Sequence, residues 1–438
     1  MLKKGLKWTG GLVAAIVLLV GAYAVIVMML PVGPEPQAPV SGAPAAMTDV
    51  VSRGEYLARA ADCTACHTAP NGRSFAGGLS FRLPFGTIYA TNITPDRETG
   101  IGNWSDDTFV KAVRQGVAPR GHLYPAMPYT SYSGMSRDDV LAIKAYLFSL
   151  PAVRQPNREN ELAFPFNQRW GMAAWNLAFF RDHRMSVDGA RSTEWNRGAY
   201  LATALGHCAE CHTPRGLAFQ LDRARGLSGE SIQGWFAPNI TPDGPTGLGR
   251  WSDDQLVQYL SSGHAPGRSS ASGPMAEVVD NSLRHLNEAD IRALVTYLRG
   301  VPPVVSDPAA AVNTAPRPAA ESSSLLLADA QQVNRDVGAA LFASDCTGCH
   351  QPNGGGRQSR YANLSGSTAV NDPQGHSVVQ VILKGTRIDN GGWTETMPGF
   401  GGRYSDAEVA ALANFITRQF GEKTGRVTEE QVRRQRQQ

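Results

Sequence analysis

The sequence has few charged residues, and the numbers of basic and acidic residues are almost equal. Charged residues make up 18% of the 438 residues, and 41 basic side chains against 38 acidic ones leave a formal net charge of +3. A nucleic-acid-binding protein normally carries a clustered basic excess, so this balance argues against nucleic acid as a partner. The charged tail at 422–438 is typical of a solvated helix end.

The motifs that mark several common classes of enzyme are also missing. The sequence has no P-loop, no G-x-G-x-x-G after a strand and no G-x-S-x-G nucleophile elbow. No other arrangement typical of substrate chemistry replaces them. We therefore predict no catalytic residues in this chain.

Cysteine is scarce, and none lies outside one short repeated motif. The six cysteines form three C-x-x-C-H sequences. This is the attachment signature of haem c, because two thiols about one helical turn apart form thioethers with one porphyrin while the next imidazole binds its iron. The pattern predicts three covalent haems. The predicted thioether cysteines are Cys63, Cys66, Cys208, Cys211, Cys346 and Cys349, and the predicted proximal ligands are His67, His212 and His350.

Other interpretations of the cysteines agree less well with the count. Six cysteines in a secreted chain could form three disulfides. Structural zinc needs four ligands, whereas each motif offers three. A thioredoxin-like redox pair does not require the histidine and lies in a βαβ pattern that is absent here. Haem attachment accounts for every cysteine and for the histidine that follows each pair.

A long uncharged segment follows three lysines at the N-terminus. Residues 10–30 are its apolar centre, and a helix of that length spans roughly 30 Å, the thickness of a bilayer core. A signal peptide, with an apolar region of about 7–15 residues and a cut near 43–46, is the alternative. We favour an uncleaved anchor in the bacterial inner membrane. Lys3, Lys4 and Lys7 then keep the N-terminus cytoplasmic, and the rest of the chain faces the periplasm.

The sequence around the three motifs is repeated. A glycine precedes each motif on a predicted short helix, and each repeat ends in a second helix with a good N-cap residue. An aromatic residue lies ten positions after each cap, and the glycine allows it to approach so that the two helices cross. The glycines are Gly54, Gly198 and Gly338, the caps are Ser136, Asn287 and Ser405, and the aromatic residues are Tyr146, Tyr297 and Phe415.

The first two repeats are more alike than the third. Both contain Asn-Ile-Thr-Pro-Asp, at 92–96 and 239–243, and both then have a middle helix capped by serine and ended by glycine. The predicted middle helices run from Ser105 to Gly116 and from Ser252 to Gly263.

The repeats predict an all-α fold with three tandem class I cytochrome c-like haem domains after an N-terminal transmembrane helix. The predicted bounds are 1–47 for the anchor and a Pro/Ala tether, 48–155, 190–303 and 331–421 for the haem domains, 156–189 for an aromatic connector, 304–330 for a Pro/Ala/Ser linker and 422–438 for the charged tail.

Each repeat also offers a methionine as the distal iron ligand. Met127, Met275 and Met397 lie between the middle and final helices, and thioether ligation favours reduced iron, which suits electron transfer. A methionine that merely fills core space is the alternative. His122 and His264 are the second choice of ligand for the first two repeats.

The connector is unusually aromatic between residues 161 and 181. Such a segment is typical of a partner-docking surface or a membrane-interface belt, or of a connector packed between the first two haem domains. The sequence leaves these alternatives open. Its aromatic residues are Phe164, Phe166, Trp170, Trp175, Phe179 and Phe180.

The whole pattern resembles the three-haem cytochrome c subunit of membrane-bound periplasmic dehydrogenases of the alcohol, gluconate and aldehyde type. The resemblance covers nearly all of 50–421 and rests on the three motifs and on the segments 86–96, 123–128 and 247–253. It implies the haem ligands named above and a separate catalytic subunit of flavin, pyrroloquinoline quinone or molybdopterin type. Many members have a cleaved signal and a longer C-terminal extension, so the anchor of this chain departs from the family pattern.

These observations predict an electron-transfer subunit that passes electrons from a periplasmic dehydrogenase to ubiquinone or another respiratory acceptor. A haem peroxidase-like enzyme with one open iron is an alternative, and Met275, whose proline precedes it, is the site that would allow it. A cytochrome c subunit of a terminal oxidase is a further alternative.

Overall fold

The computed structural model describes residues 2–30, 34–36, 40–42, 44, 46–306, 336–357, 359–389, 392, 394–421 and 424–437. The chain divides into two compact units, Met1–His207 and Cys208–Gln438. This boundary falls inside 190–303, so the three haem domains stay a prediction. The linker predicted at 304–330 and the start of the third predicted domain lie outside the described residues, except for 304–306.

The first unit is mostly helical. The helix α8 continues directly as a π-helix over Tyr200–Leu205. The helices are α1 (Leu2–Met29), α2 (Val50–Ala60), α3 (Cys63–His67), α4 (Asp106–Gln115), α5 (Tyr129–Tyr132), α6 (Arg137–Ser149), α7 (Gly171–Phe179) and α8 (Thr193–Ala199).

Short strands join these helices. The strands β1 (Ser80–Leu83) and β2 (Gly86–Tyr89) form an antiparallel hairpin, with Ser80 opposite Tyr89. The connector adds β5 (Glu161–Leu162) to the edge of β2. A second hairpin, β3 (Val117–Ala118) with β4 (Gly121–His122), follows α4. The all-α prediction did not include these hairpins, which are two to four residues long in each strand and reverse the chain between helices.

The second unit has the same mixture of helices and hairpins. The helix α13 continues as a π-helix over Phe342–Cys346. The helices are α9 (Ala209–His212), α10 (Asp253–Ser262), α11 (Pro274–Asn281), α12 (Glu288–Gly300), α13 (Val337–Leu341), α14 (Thr347–His350), α15 (His376–Lys384), α16 (Asp406–Phe420) and α17 (Glu429–Arg436). The strands form three antiparallel hairpins, which are β6 (Glu230–Ile232) with β7 (Trp235–Ala237), β8 (His264–Ala265) with β9 (Ser269–Ser270), and β10 (Gly385–Asp389) with β11 (Thr394–Pro398).

The predicted helix crossing is confirmed in the first repeat. A Cβ on Gly54 of α2 would lie 1.9 Å from the Ala142 carbonyl oxygen and 2.9 Å from Cβ of Tyr146, both on α6. The backbones of α2 and α6 therefore touch where only glycine fits. Tyr146 is the aromatic residue that the sequence placed at this contact.

The third repeat crosses in the same way. A Cβ on Gly338 of α13 would lie 2.2 Å from the Ala411 carbonyl oxygen and 2.8 Å from Cβ of Phe415 on α16. Phe415 then packs in a buried apolar cluster with Phe342 and Phe420. Burial of such aromatic side chains supplies much of the core energy of a small helical domain.

The predicted helix caps are also confirmed. Each predicted cap side chain accepts the backbone N–H three residues on, which satisfies one of the free donors at a helix start. The middle helices α4 and α10 end at Gly116 and Gly263, whose φ angles of 64° and 74° are the left-handed values expected of a glycine C-cap.

The helix α1 is long and apolar enough to cross a membrane. Its candidate span, Gly11–Met29, has a mean hydropathy of 2.8, and only 6% of the most apolar window is buried against the rest of the chain. A signal sequence near an N-terminus has the same properties. The structure therefore agrees with both predictions made for this segment.

Candidate haem sites

The first C-x-x-C-H motif forms a short helix of its own. Cys63 and Cys66 lie on α3, and His67 is its last residue. The Nδ1 atom of His67 lies 2.7 Å from the Thr91 carbonyl oxygen, in the loop after β2. The carbonyl oxygen of His67 accepts the Gly77 backbone N–H at 2.7 Å, which closes the loop beneath the imidazole.

The second motif repeats this arrangement. His212 is the last residue of α9, and its Nδ1 atom lies 2.7 Å from the Pro238 carbonyl oxygen. The Gly229 backbone N–H donates to the His212 carbonyl oxygen at 2.8 Å. Pro238 stands directly before the second Asn-Ile-Thr-Pro-Asp segment, as Thr91 stands before the first.

The third motif reaches the same geometry through a different loop. His350 ends α14, and its Nδ1 atom lies 2.6 Å from the Ala362 carbonyl oxygen. The Gly356 backbone N–H donates to the His350 carbonyl oxygen at 3.1 Å. This repeat has no Asn-Ile-Thr-Pro-Asp segment, and a short 3₁₀ turn supplies the acceptor instead.

These contacts decide which nitrogen of each imidazole can bind a metal. A carbonyl oxygen can only accept, so Nδ1 of His67, His212 and His350 must carry the hydrogen. Nε2 is then the atom with the available lone pair, and a hydrogen bond from the other nitrogen orients a ligating imidazole. Burial lowers the pKa of all three imidazoles, which favours the neutral form that a metal requires.

The cysteines of the motifs are not in disulfides. Burial raises the pKa of the Cys63 thiol to about 12 and that of the Cys208 and Cys346 thiols to about 11. Such thiols stay protonated at neutral pH when no ligand is bound. In the second and third pairs the second cysteine is the more exposed one, with Cys211 and Cys349 on the surface, whereas Cys63 and Cys66 are both half-buried.

A cavity of about 470 Å³ opens beside the third motif. Cys346, Cys349, His350 and Met397 all contribute to its lining, so the structure brings together the two predicted attachment cysteines and the two predicted iron ligands of one haem. The residues present fit a haem, because two thiols, an imidazole and a thioether share a pocket that is otherwise mainly apolar. The apolar lining includes Phe342, Val370, Val378, Ile382, Leu412 and Ile416.

The other two predicted methionines do not line the cavity described above. Met127 is half-buried in the loop before α5, where its backbone N–H donates to the Tyr124 carbonyl oxygen. Met275 is half-buried near the start of α11, directly after Pro274. Their assignment as distal ligands stays a prediction.

The two histidines proposed as second-choice ligands lie in the hairpins that follow the middle helices. His122 on β4 is buried, and burial lowers its pKa. His264 on β8 is also buried, its Nδ1 lies 2.9 Å from Ser270 Oγ, and its pKa is lowered to about 4 by burial first and by nearby Arg360 second. Neither histidine shares the cavity that holds His350.

The repeated Asn-Ile-Thr-Pro-Asp segment has a structural role that the sequence did not reveal. In the first repeat the Asn92 amide donates to the Val153 carbonyl oxygen at 2.8 Å, while its Oδ1 accepts from the Thr94 backbone N–H at 2.9 Å. In the second repeat Asn239 donates to the Val304 carbonyl oxygen at 2.7 Å. Each asparagine therefore fixes the loop that supplies the histidine's acceptor to the segment after the last helix. The signal in the sequence that could have pointed to this role is that the segment occurs in both of the first two repeats.

The motifs, the oriented imidazoles and the mainly apolar cavity together define this chain as a c-type cytochrome. Residues 333–416 match the family model described as cytochrome c oxidase, cbb3-type, subunit III.

Relatives that match most of the chain are more specific. It is 40% identical over 391 residues to the gluconate 2-dehydrogenase cytochrome c subunit of Pantoea cypripedii, covering 85% of this chain and 86% of that protein. It is 37% identical over 401 residues to the fructose dehydrogenase cytochrome subunit of Gluconobacter japonicus, covering 88% and 82%. It is 38% identical over 399 residues to the alcohol dehydrogenase (quinone), cytochrome c subunit, of Komagataeibacter europaeus, covering 88% and 84%. The chain belongs to the family of dehydrogenase cytochrome c subunits, which confirms the resemblance stated from the sequence.

Proposed function

We propose that this chain is the electron-transfer subunit of a membrane-bound dehydrogenase complex and carries three covalent haems. The observation that carries the proposal is the threefold recurrence of one arrangement. Each C-x-x-C-H histidine donates Nδ1–H to a backbone carbonyl, which directs Nε2 to a metal. A single such site could serve many purposes, whereas three in one chain suit a relay.

The residues have separate tasks at each site. A bound haem c supplies an iron that takes up and releases one electron at a time. At each site the two cysteines would hold the porphyrin covalently, and the oriented imidazole would bind the iron through Nε2. Met127, Met275 and Met397 would supply the second protein ligand of each iron, which would leave no open site for substrate. The apolar lining around His350 would limit the access of water to the bound group, and water access influences its potential.

We further propose a dehydrogenase partner, as the names of the relatives suggest, and the partner cofactors and acceptors that the resemblance stated from the sequence implies. A catalytic subunit of flavin, pyrroloquinoline quinone or molybdopterin type oxidises the substrate in the periplasm and reduces this chain. Electrons leave to ubiquinone, or to another periplasmic acceptor. The helix α1 anchors the chain in the inner membrane, which keeps it beside a membrane-soluble acceptor.

The native complex provides the test. Membranes would be solubilised mildly, the complex isolated through a C-terminal tag on this chain, and its subunits identified by mass spectrometry. We expect a dehydrogenase catalytic subunit, and we expect gluconate, fructose or ethanol to reduce the haems only when that subunit is present. Substrate oxidation by the separated chain would contradict the proposal.

Two observations keep other functions testable. The family model that matches 333–416 is named for an oxidase subunit, so co-purification with a copper-haem oxidase would favour that role. Met275 lies near the start of a helix and is not among the residues that line the described cavity, so a peroxidase-like second site is also worth testing. A high-spin ferric signal and rapid carbon monoxide binding would support such a site, and fully low-spin spectra would oppose it.

A further inference from the structure

The connector carries an exposed apolar surface. Phe164, Phe166, Trp170 and Leu177 have exposed fractions of 79%, 43%, 41% and 59%. We call residues 164–177 the apolar segment. Large apolar side chains that are exposed together mark a surface that is covered by something else in the cell.

The apolar segment is continuous with the candidate membrane span. The helix α1 packs against α7, which forms the second half of the segment. Along the exposed second half of α1, the less exposed positions include Val20, Tyr23, Ala24 and Val27, which recur at helical spacing and so form one covered face. Most other positions between residues 11 and 30 are exposed, as expected of a helix in lipid.

Contacts with the first repeat hold the apolar segment in a fixed orientation. The Phe166 ring stacks on Phe85 at 4.3 Å, and the Phe166 carbonyl oxygen accepts the Tyr124 hydroxyl at 2.8 Å. Further along, Asn176 of α7 accepts the Tyr129 hydroxyl at 2.6 Å. Phe166 and Asn176 therefore pack on the first repeat, whereas Phe164 and Leu177 remain mostly exposed.

The C-terminal end of α1 is hydrogen-bonded to the first repeat. Lys111 on α4 donates from Nζ to the carbonyl oxygens of Met28 and Leu30, each at 2.5 Å. Met28 lies in the last turn of α1 and Leu30 directly follows the helix, so neither carbonyl accepts within the helix, and a cation is favourable at a helix C-terminus. The end of the candidate span thus lies beside the unit that carries the apolar segment.

The composition of α7 indicates what kind of surface contacts the exposed apolar side chains. None of its nine residues is charged, and Arg169 and Arg181 flank it. Aromatic and leucine side chains bordered by basic residues are typical of a segment at the headgroup–acyl boundary of an anionic membrane. A docking surface for a protein partner would not need to lie next to a membrane span.

We propose that the apolar segment inserts into the periplasmic headgroup–acyl boundary of the membrane that α1 crosses. This inference rests on the proposed membrane anchoring by α1 and adds a second contact to it. A single spanning helix can itself tilt in the bilayer, so it does not fix the orientation of a domain that packs on it. The second contact sets the tilt, and with it the distance of the first haem site from the bilayer.

Spin labelling of the full-length chain tests the proposal. A nitroxide would be attached to Leu177→Cys in the haem-loaded protein, reconstituted in phosphatidylethanolamine–phosphatidylglycerol vesicles. The matched control is Leu217→Cys, because Leu217 is fully exposed in the second unit. The unlabelled parent reports any labelling of native cysteines. Power-saturation spectra with oxygen and with a water-soluble nickel chelate then give the depth of each label.

We expect the label at 177 to gain oxygen accessibility and lose nickel accessibility, at a depth of ~5–10 Å below the phosphates. The label at 217 should stay accessible to nickel. An aqueous label at 177 in protein that still floats with the vesicles would overturn the second contact and leave the α1 anchor intact. Protein that does not float at all would instead reject the anchor. If Leu177→Cys fails to bind haem, Phe164→Cys gives the same measurement at a more exposed position.

Discussion

The carbonyl oxygen that accepts from His350 belongs to Ala362, in a short 3₁₀ turn. Tyr361 in that turn donates its hydroxyl to the Ser262 carbonyl oxygen at 2.8 Å, and its ring centroid lies 5.2 Å from that of His264. Ser262 and His264 belong to the second repeat. The turn that orients the third imidazole is therefore held from outside the third repeat, within the same unit.

Removal of this hydroxyl should change the third haem site. Tyr361→Phe loses one hydrogen bond, worth about 1 kcal/mol, and loosens the acceptor of His350 Nδ1–H. A weaker hydrogen bond makes the imidazole a poorer electron donor to iron. We expect the midpoint potential of one haem to rise by at most ~43 mV, the one-electron equivalent of 1 kcal/mol, in a spectroelectrochemical titration.

Tyr89→Phe is the control for that titration. It removes a comparable hydroxyl hydrogen bond, to Glu161 at 3.0 Å, in a hairpin that holds no predicted iron ligand. All potentials should stay at the parent values in this variant. An equal shift in both variants, or no shift in Tyr361→Phe, would contradict a positioning role for Tyr361.

The distal ligand of the first site is also open to test at the residue scale. Met127→Ala should let carbon monoxide bind one reduced haem and should lower its potential, because a thioether ligand favours reduced iron. Met172→Ala removes a half-buried methionine from the connector and should do neither. Visible spectra with and without carbon monoxide distinguish the outcomes, and unchanged ligand binding in Met127→Ala would reject the assignment.

At the scale of elements, the crossing of α2 and α6 depends on a missing side chain. Gly54→Ala places a methyl group 1.9 Å from the Ala142 carbonyl oxygen, so the helices must separate. Such overpacking costs typically ~1–3 kcal/mol. We expect a lower urea midpoint in circular dichroism. Gly171→Ala, where nothing lies within 4 Å, is the control, and equal midpoints for the two variants would count against the contact.

The start of α16 predicts a pH dependence. The Glu408 carboxylate accepts from the Ser405 backbone N–H and hydroxyl, each at 2.8 Å, and these bonds lower the pKa of Glu408 below its ordinary 4.5. A lowered folded-state pKa gives stability that is present above the unfolded pKa and is lost as the pH falls through the folded one.

Glu408→Gln removes the charge and with it this pH dependence. The melting temperature of the variant should lie below that of the parent at about pH 7, and the difference should shrink at about pH 3. Glu159→Gln changes a carboxylate whose side chain is 85% exposed and should show no such trend. A difference that stays constant with pH would contradict the role of the Glu408 carboxylate.

At the scale of the whole molecule, each motif should load independently. Cys208→Ala combined with Cys211→Ala removes both thioether positions of the second motif, while the other two motifs keep theirs. We expect covalent haem per chain to fall from three to two by pyridine haemochrome assay and intact mass. The matched variant at Cys346 and Cys349 should also lose one haem. No loss in either would reject the haem assignment.

Local chemistry explains what could be predicted from the sequence. The caps Ser136, Asn287 and Ser405 act on backbone groups three residues away, and α1 is defined by an uninterrupted apolar run. The C-x-x-C-H motifs are likewise short-range patterns. The short hairpins were missed because strands of a few residues carry too little periodicity to be recognised.

Contacts between distant parts of the chain could not be predicted in this way. Asp139 looked like an ordinary acidic residue in the first turn of a helix. In the structure it is fully buried, pairs with Arg53, and accepts from the Gly42 backbone N–H and the Tyr200 hydroxyl, each at 2.8 Å. No periodicity links these four positions, because the path of the chain brings them together.

The sequence by itself determined the chemistry of this protein: three pairs of thiols, each with an adjacent imidazole, and one long apolar helix. These features depend on residues that are neighbours in the chain. Only the tertiary structure decided which carbonyl orients each imidazole, with acceptors 24, 26 and 12 residues away. It also decided that Met397 shares a cavity with His350 and that the connector presents its apolar side beside α1. Such contacts follow from packing, which no local pattern records.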